Sequence, residues 1–177
     1  MPMSRRLIVL ACAAALVLPG AAFAQKSQSQ LDWEATQATY LTDNLKKPGW
    51  KASADGVQFK RISKPNPKGK QPTAESEVEV RYVGKTVSDN QFDASPESET
   101  TSFGLGEVIE GWTKGIPMMR EGETWSFAIP AALGYGDRAK PGIPAGSALL
   151  FDVTLVKVLT NPAAAPPPAA KPAAKQK

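Results

Sequence analysis

The segment EVIEGWTKGIPMM, Glu107–Met119, is where the chain leaves one periodicity and returns to it. It predicts a helix too short to stand alone. Gly115 weakens it, and Pro117 stops it because proline has no N–H to continue the ladder. One of the chain's four tryptophans, Trp112, stands in this cramped turn. Tryptophan carries a very large apolar surface. Either Trp112 anchors the turn in a core, or it is the floor of a pocket.

On both sides of this segment apolar residues alternate with period two. VQFKRI (57–62), EVEVRYVGKTV (77–87), TWSFAIP (124–130) and ALLFDVTLVKVL (148–159) read as strands. Val78, Val80 and Tyr82 fall on one face of the second run, opposite Glu79, Arg81 and Val83. Trp125, Phe127 and Ile129 share a face of the third. Leu149, Phe151, Val153, Leu155 and Lys157 share a face of the fourth. Such alternation belongs to antiparallel sheets with one buried side. The expected fold class is therefore α+β, a curved antiparallel sheet with one short helix laid against it.

Upstream, LDWEATQATYLTDNLKK (31–47) places Leu31, Ala35, Ala38 and Leu41 or Leu45 at helical spacing. An amphipathic helix is expected there, with Asp32 as N-cap, Lys46 and Lys47 at its C-terminus and Pro48-Gly49 as its stop. Four turns are marginal in isolation, so this helix needs the domain or a partner chain to pack on.

The ends have a different character. Arg5 and Arg6 precede an apolar run, Leu7–Leu18, too short to span a bilayer, and Ala22-Phe23-Ala24 fits a small-x-small cleavage site. Residues 1–24 are read as a signal peptide cut after Ala24, giving a periplasmic or secreted protein. An uncleaved anchor, or lipidation at Cys12, fits the short run and the early cysteine less well. The end, NPAAAPPPAAKPAAKQK (161–177), is Pro-, Ala- and Lys-rich without a bulky apolar residue, as in an extended disordered tail. The division expected is leader 1–24, helix and linker 25–55, a domain over 56–159 and a tail from 160 to 177.

Composition excludes several classes. The chain has no histidine, and its one cysteine, Cys12, lies in the leader. A processed chain thus has no thiol chemistry, no metal site built on His or Cys, and no Ser-His or Cys-His nucleophile. No cofactor is expected. The net charge of +4 owes two units to Arg5 and Arg6, while three further lysines sit in the tail, at 171, 175 and 177. The body is near neutral and shows no basic stripe with interleaved aromatics, so no nucleic-acid partner is expected.

Four stretches then stand in series: RYVGK with Tyr82; QFDAS with Phe92 and Asp93; SFGLGEVIEGW with Phe103, Val108, Ile109 and Trp112; and GYGDRAKPGIPAGSALLFDVTL with Tyr135, Ile143 and Phe151. In this order and spacing they resemble the FKBP-type peptidyl-prolyl cis-trans isomerases, over roughly 56–159. The resemblance implies a sheet of about five strands wrapped around a short helix, and an isomerase pocket between them. Trp112 is then the floor, with Tyr82, Phe92, Val108, Ile143 and Phe151 as substrate-binding walls and Phe103 left in the core. Asp93, the Ile109 backbone N–H and the Tyr135 hydroxyl are the implied catalytic groups. The implied partners are unfolded or flexible X–Pro polypeptides and macrolide inhibitors. The segment ahead of the domain, YLTDNLKKPGWKASADGVQFKRI, is similar to the junction in small bacterial envelope members. Those carry a long dimerisation region, here reduced to one helix, so a monomer is expected.

Other readings of the same residues stand beside these. Taken singly, Trp112, Phe92, Phe103 and Phe151 read better as core, and only as a set do they read as a pocket. Asp93 reads as a turn residue in FDAS, and Tyr135 between two glycines as a turn filler. The domain as a whole reads either as an isomerase acting on exported proteins, as a non-catalytic holder of proline-containing segments, or as an envelope tether working through its tail.

Overall fold

The computed structural model describes residues 26–160, so the expected leader and tail lie outside the described residues. In chain order the elements are α1 (Gln28–Asn44), β1 (Lys51–Ala52), β2 (Gln58–Arg61), β3 (Glu77–Thr86), β4 (Gln91–Ala94), β5 (Thr101–Gly104), α2 (Glu110–Gly115), β6 (Thr124–Ile129) and β7 (Leu149–Thr160). The strands form one antiparallel sheet in the order β1-β2-β6-β7-β3-β4, with β5 also on β3. The architecture is the α+β arrangement that the alternation predicts.

The sheet has seven strands where about five were expected. The additions are short. β5 pairs with Glu77–Val80 and β4 with Val83–Lys85 of β3, so the two are successive pieces of one broken edge. At four residues each they carry too little alternation to be read as strands. The alternation of β7 also fails at one point. Leu155 faces Val80 and Lys157 faces Glu79, so one extra residue is inserted in β7 against β3. The bulge turns Val158 inward and leaves Lys157 exposed, against the expectation for Lys157.

α2 packs on the inner face, and its glycines explain how closely. A Cβ on Gly111 would collide with Ile129, and one on Gly115 would lie 3.0 Å from Phe127. The helix ends at Gly115, and Pro117 begins no further turn of it but a 3-10 turn, Ile116–Met118. Beneath it Val78, Val80, Phe127, Ile129, Leu149, Val153 and Leu155 form the core.

α1 exists but differs from its expected limits and facing. It starts at Gln28, capped by Ser27, whose Oγ accepts the Gln30 N–H at 3.2 Å, and not by Asp32. It ends at Asn44, ahead of Lys46 and Lys47. Leu31 and Leu45 are 46% and 41% exposed, whereas Gln37 and Asn44 are buried. The side facing the domain thus mixes partly buried Trp33, Tyr40 and Leu41 with two buried amides, and the amides are held by hydrogen bonds. Asn44 Nδ2 donates to Gln58 Oε1 at 3.0 Å, and Gln58 Nε2 donates to the Leu41 carbonyl at 2.9 Å. Cross-strand register puts Gln58, Ala128 and Leu150 together on the face away from α2. Ala128 is fully buried there, which breaks the in-out pattern of β6.

One buried carboxylate ties the sheet to its loops. Glu123 is 1% exposed. Its Oε1 accepts the Asn66 N–H at 3.0 Å, and its Oε2 accepts the Arg120 N–H at 3.1 Å and the Trp125 indole N–H at 3.0 Å. All three partners are donors, so an amide cannot replace the carboxylate in either orientation. Glu123→Gln is expected to lower stability by about 1–3 kcal/mol, read as a lower denaturant midpoint at constant slope. An unchanged midpoint would contradict this role.

Candidate active site

The largest aromatic assembly in the domain is centred on Trp112. Its indole meets Tyr82, Phe103 and Phe151 at centroid distances of 5.1, 5.5 and 5.3 Å and interplanar angles of 87°, 89° and 76°. Phe92 adds an edge contact to Phe151 at 5.6 Å. Edge-to-face contacts are the favoured geometry for aromatic quadrupoles, and they hold these rings upright around a hollow. The hollow is a cavity of about 340 Å³, completed by Asp93, Glu107, Val108, Ile109 and Tyr135. Trp112 is only 5% exposed, and its indole N–H has no hydrogen-bond partner among the described residues.

The polar groups are few. The Tyr82 hydroxyl donates to Asp93 Oδ2 at 2.8 Å, and Asp93 Oδ1 accepts the Ala94 N–H at 2.9 Å. Burial, then the hydrogen bond and charge of Asp93, push the Tyr82 hydroxyl well above the usual tyrosine range. It therefore stays a neutral donor at physiological pH. Ile109 is the N-cap of α2, extended at φ −60° and ψ 147°. Its carbonyl accepts from Trp112 and Thr113, while its N–H enters no backbone hydrogen bond among the described residues. Tyr135 sits between Gly134 and Gly136, with Gly136 at φ +57°. No group of three or more His, Cys, Asp or Glu side chains suited to a metal ion occurs among the described residues.

The fold brings Tyr82, Phe92, Asp93, Val108, Ile109, Trp112, Tyr135 and Phe151 to one cavity from five separate places in the chain. Ile143 is the exception. It is 4% exposed, packs in the core cluster, and is not among the residues lining the hollow. Two lining residues were missed. Phe103, assigned to the core, is only partly buried and lines the cavity. Its register opposite Val78 would have placed it on the inner face had β5 been read as a strand. Glu107 gave no signal in the sequence.

A glycine also shapes the site. A Cβ on Gly84 would stand 2.7 Å from Phe151 and 2.9 Å from Phe92. Both rings lean on bare backbone there. Gly84→Ala is expected to displace them at a cost of about 1–3 kcal/mol, seen in denaturant unfolding together with a changed Trp112 emission. Parent-like values for both would mean that the rings do not depend on Gly84.

Sequence and structure comparisons agree with this geometry. The family model for FKBP-type peptidyl-prolyl cis-trans isomerase matches residues 68–156. The chain is similar to the FKBP-type peptidyl-prolyl cis-trans isomerase FkpA of Aeromonas hydrophila, at 37% identity over 67% of this chain and 44% of that protein. It is likewise similar to the peptidyl-prolyl cis-trans isomerase Mip of Coxiella burnetii, at 36% identity over 67% of this chain and 52% of that protein. The chain thus spans about half the length of the curated relatives it matches. A crystal structure of a peptidyl-prolyl cis-trans isomerase from Pseudomonas syringae superposes with a TM-score of 0.68 at 31% identity, over 76% of this chain and 98% of that one. With half of its length matched by the family model and the aromatic cavity inside that match, the chain belongs to the FKBP-type peptidyl-prolyl cis-trans isomerase family.

Proposed function

We propose that this protein is a peptidyl-prolyl cis-trans isomerase that acts on X–Pro bonds of exported polypeptides. The observation that carries the reading is the cavity over Trp112: aromatic walls with a few hydrogen-bond groups and no histidine or cysteine. Rotation about an X–Pro amide has a high barrier because the C–N bond is partly double. Uncatalysed, it takes tens to hundreds of seconds. No bond to the substrate has to be made. The site has only to bind the twisted amide better than either planar form.

The proline ring fits on the Trp112 indole, between the rings of Tyr82, Phe92 and Phe151. Water is excluded there, and the planar amide, the more polar form, loses more solvation than the twisted one. The Ile109 N–H and the Tyr135 hydroxyl serve as fixed donors to the substrate carbonyl oxygens as the bond turns. Asp93 holds Tyr82 through its hydroxyl and, with Glu107, gives the hollow a negative rim. Macrolide inhibitors would occupy the same hollow. The export assignment rests on the leader-like residues 1–24 and is part of the proposal.

The test is exchange NMR on a short X–Pro peptide with the processed protein, in parallel with Trp112→Ala, Tyr135→Phe and Asp93→Ala. The parent is expected to accelerate interconversion, with Trp112→Ala reduced by about tenfold or more, the scale of losing about 1.4 kcal/mol or more of transition-state stabilisation. A folded parent that gives no acceleration would refute the enzyme reading and leave the holding of proline-containing segments.

A further inference from the structure

Tyr135 is the least supported of the cavity's polar groups. It stands between two glycines, and Gly136 has a positive φ with nothing near its α-carbon to wedge it. Glycine on both sides makes a segment that many conformations suit equally. On its N-terminal side the Gly134 and Gly136 N–H groups donate to the Ala131 carbonyl at 2.9 and 2.8 Å, and the Tyr135 carbonyl accepts the Arg138 N–H at 3.1 Å. The segment returns at Gly146, whose N–H donates to the Gly136 carbonyl at 2.8 Å. The 146–148 end is therefore a second anchor of the segment that carries Tyr135.

That anchor is gripped by α1, which lies outside the family match. Gln37 Oε1 accepts the Ala148 N–H at 3.2 Å, in a buried setting. Gln30 Nε2 donates to the Ala145 carbonyl at 3.0 Å, so the capping glutamine reaches for the loop and not back to Ser27. Lys26 bridges Glu34 at 2.7 Å and Asp137 at 3.1 Å. Gly146 is so close to α1 that a Cβ there would stand 2.8 Å from Glu34. The residues that do this, Gln30, Glu34 and Gln37, lie on one face of the helix, at three- and four-residue spacing. This also accounts for the amides that α1 turns inward beside Leu41.

We propose that α1 is a brace for the active site, in which Gln37 is a positioning residue that fixes Tyr135 through Ala148, Gly146 and Gly136. Ala148 is fully buried, so its N–H has no water to turn to if Gln37 is lost. The loop then relaxes, and the Tyr135 hydroxyl is no longer held where a substrate carbonyl passes. The catalytic part of this proposal rests on the isomerase reading. The placement of Tyr135 does not.

The experiment uses two readouts on the processed protein. The first is NMR of 13C-labelled tyrosine, with Tyr135 assigned by Tyr135→Phe. Gln37→Leu removes the acceptor and is expected to shift or broaden the Tyr135 ring signal. Gln37→Glu keeps an acceptor for Ala148 and is expected to restore it. Gln30→Ala, a milder variant on the same face, is expected to give a smaller change in the same sense. An unmoved Tyr135 signal in folded Gln37→Leu overturns the proposal, whatever the activity. The second readout is turnover of an X–Pro peptide. Gln37→Leu is expected to lower kcat about three- to tenfold with little change in KM, because the loss is one of alignment. In a Tyr135→Phe background the same substitution is expected to cost nothing more. Equal losses in both backgrounds would mean that Gln37 acts on stability alone, and would overturn the positioning role. An inactive parent would refute the isomerase reading, while the tyrosine signals would still decide the brace.

Discussion

The close approach of α2 to the sheet is the constraint on which the rest depends. Gly111 and Gly115 allow the helix to lie on Ile129 and Phe127 with no side chain between them. Only at that distance does Trp112 reach Tyr82, Phe103 and Phe151 together. The six-residue helix is too short to be stable by itself. Its packing supplies what its hydrogen bonds cannot, and the same packing leaves a hollow beside Trp112 where no side chain of the chain itself fits. Gly84 repeats the device on β3, where two rings lie on bare backbone. Glycines in three places thus set the depth and outline of one cavity.

The chemistry follows from what the cavity contains. Its ionisable groups are two carboxylates and two phenols, and the Tyr82 phenol is held protonated by burial and by Asp93. No histidine or cysteine lines it to carry a proton or form a bond. A reaction that needs only rotation about one bond asks for none. The polar groups are fixed by the fold before substrate arrives: Asp93 by the Tyr82 hydroxyl and the Ala94 N–H, Ile109 by its place as helix cap, and Tyr135 by the loop that α1 grips. Preorganisation of this kind avoids reorganisation during the reaction.

Much of this was legible in the sequence, for identifiable reasons. Long strands such as β3 and β7 show their period over ten or more residues, so the sheet and its buried face could be read. The pocket residues were legible through the resemblance and not through period, since each one singly reads as core. β4 and β5 were too short to show an alternation. The inward turn of Val158 depends on a bulge, which is a property of the pairing with β3 and not of β7 alone. The facing of α1 was misread because apolar spacing was taken to mark the inner side. Here buried amides do the docking, and Ser27 with Gln30 three residues on was a capping signal overlooked in favour of Asp32. Ile143 was legible only through the resemblance, and in the structure it packs in the core cluster.

The central claim is that the amide turns without any proton being transferred. The most direct measurement is the rate of X–Pro interconversion by the protein across about pH 6 to 9, where neither carboxylates nor tyrosines ordinarily titrate, repeated in deuterated water. The account predicts a flat profile and no solvent isotope effect. A rate that rises or falls through a single ionisation in that range, or that drops about twofold or more in deuterated water as a proton in flight would cause, would contradict it.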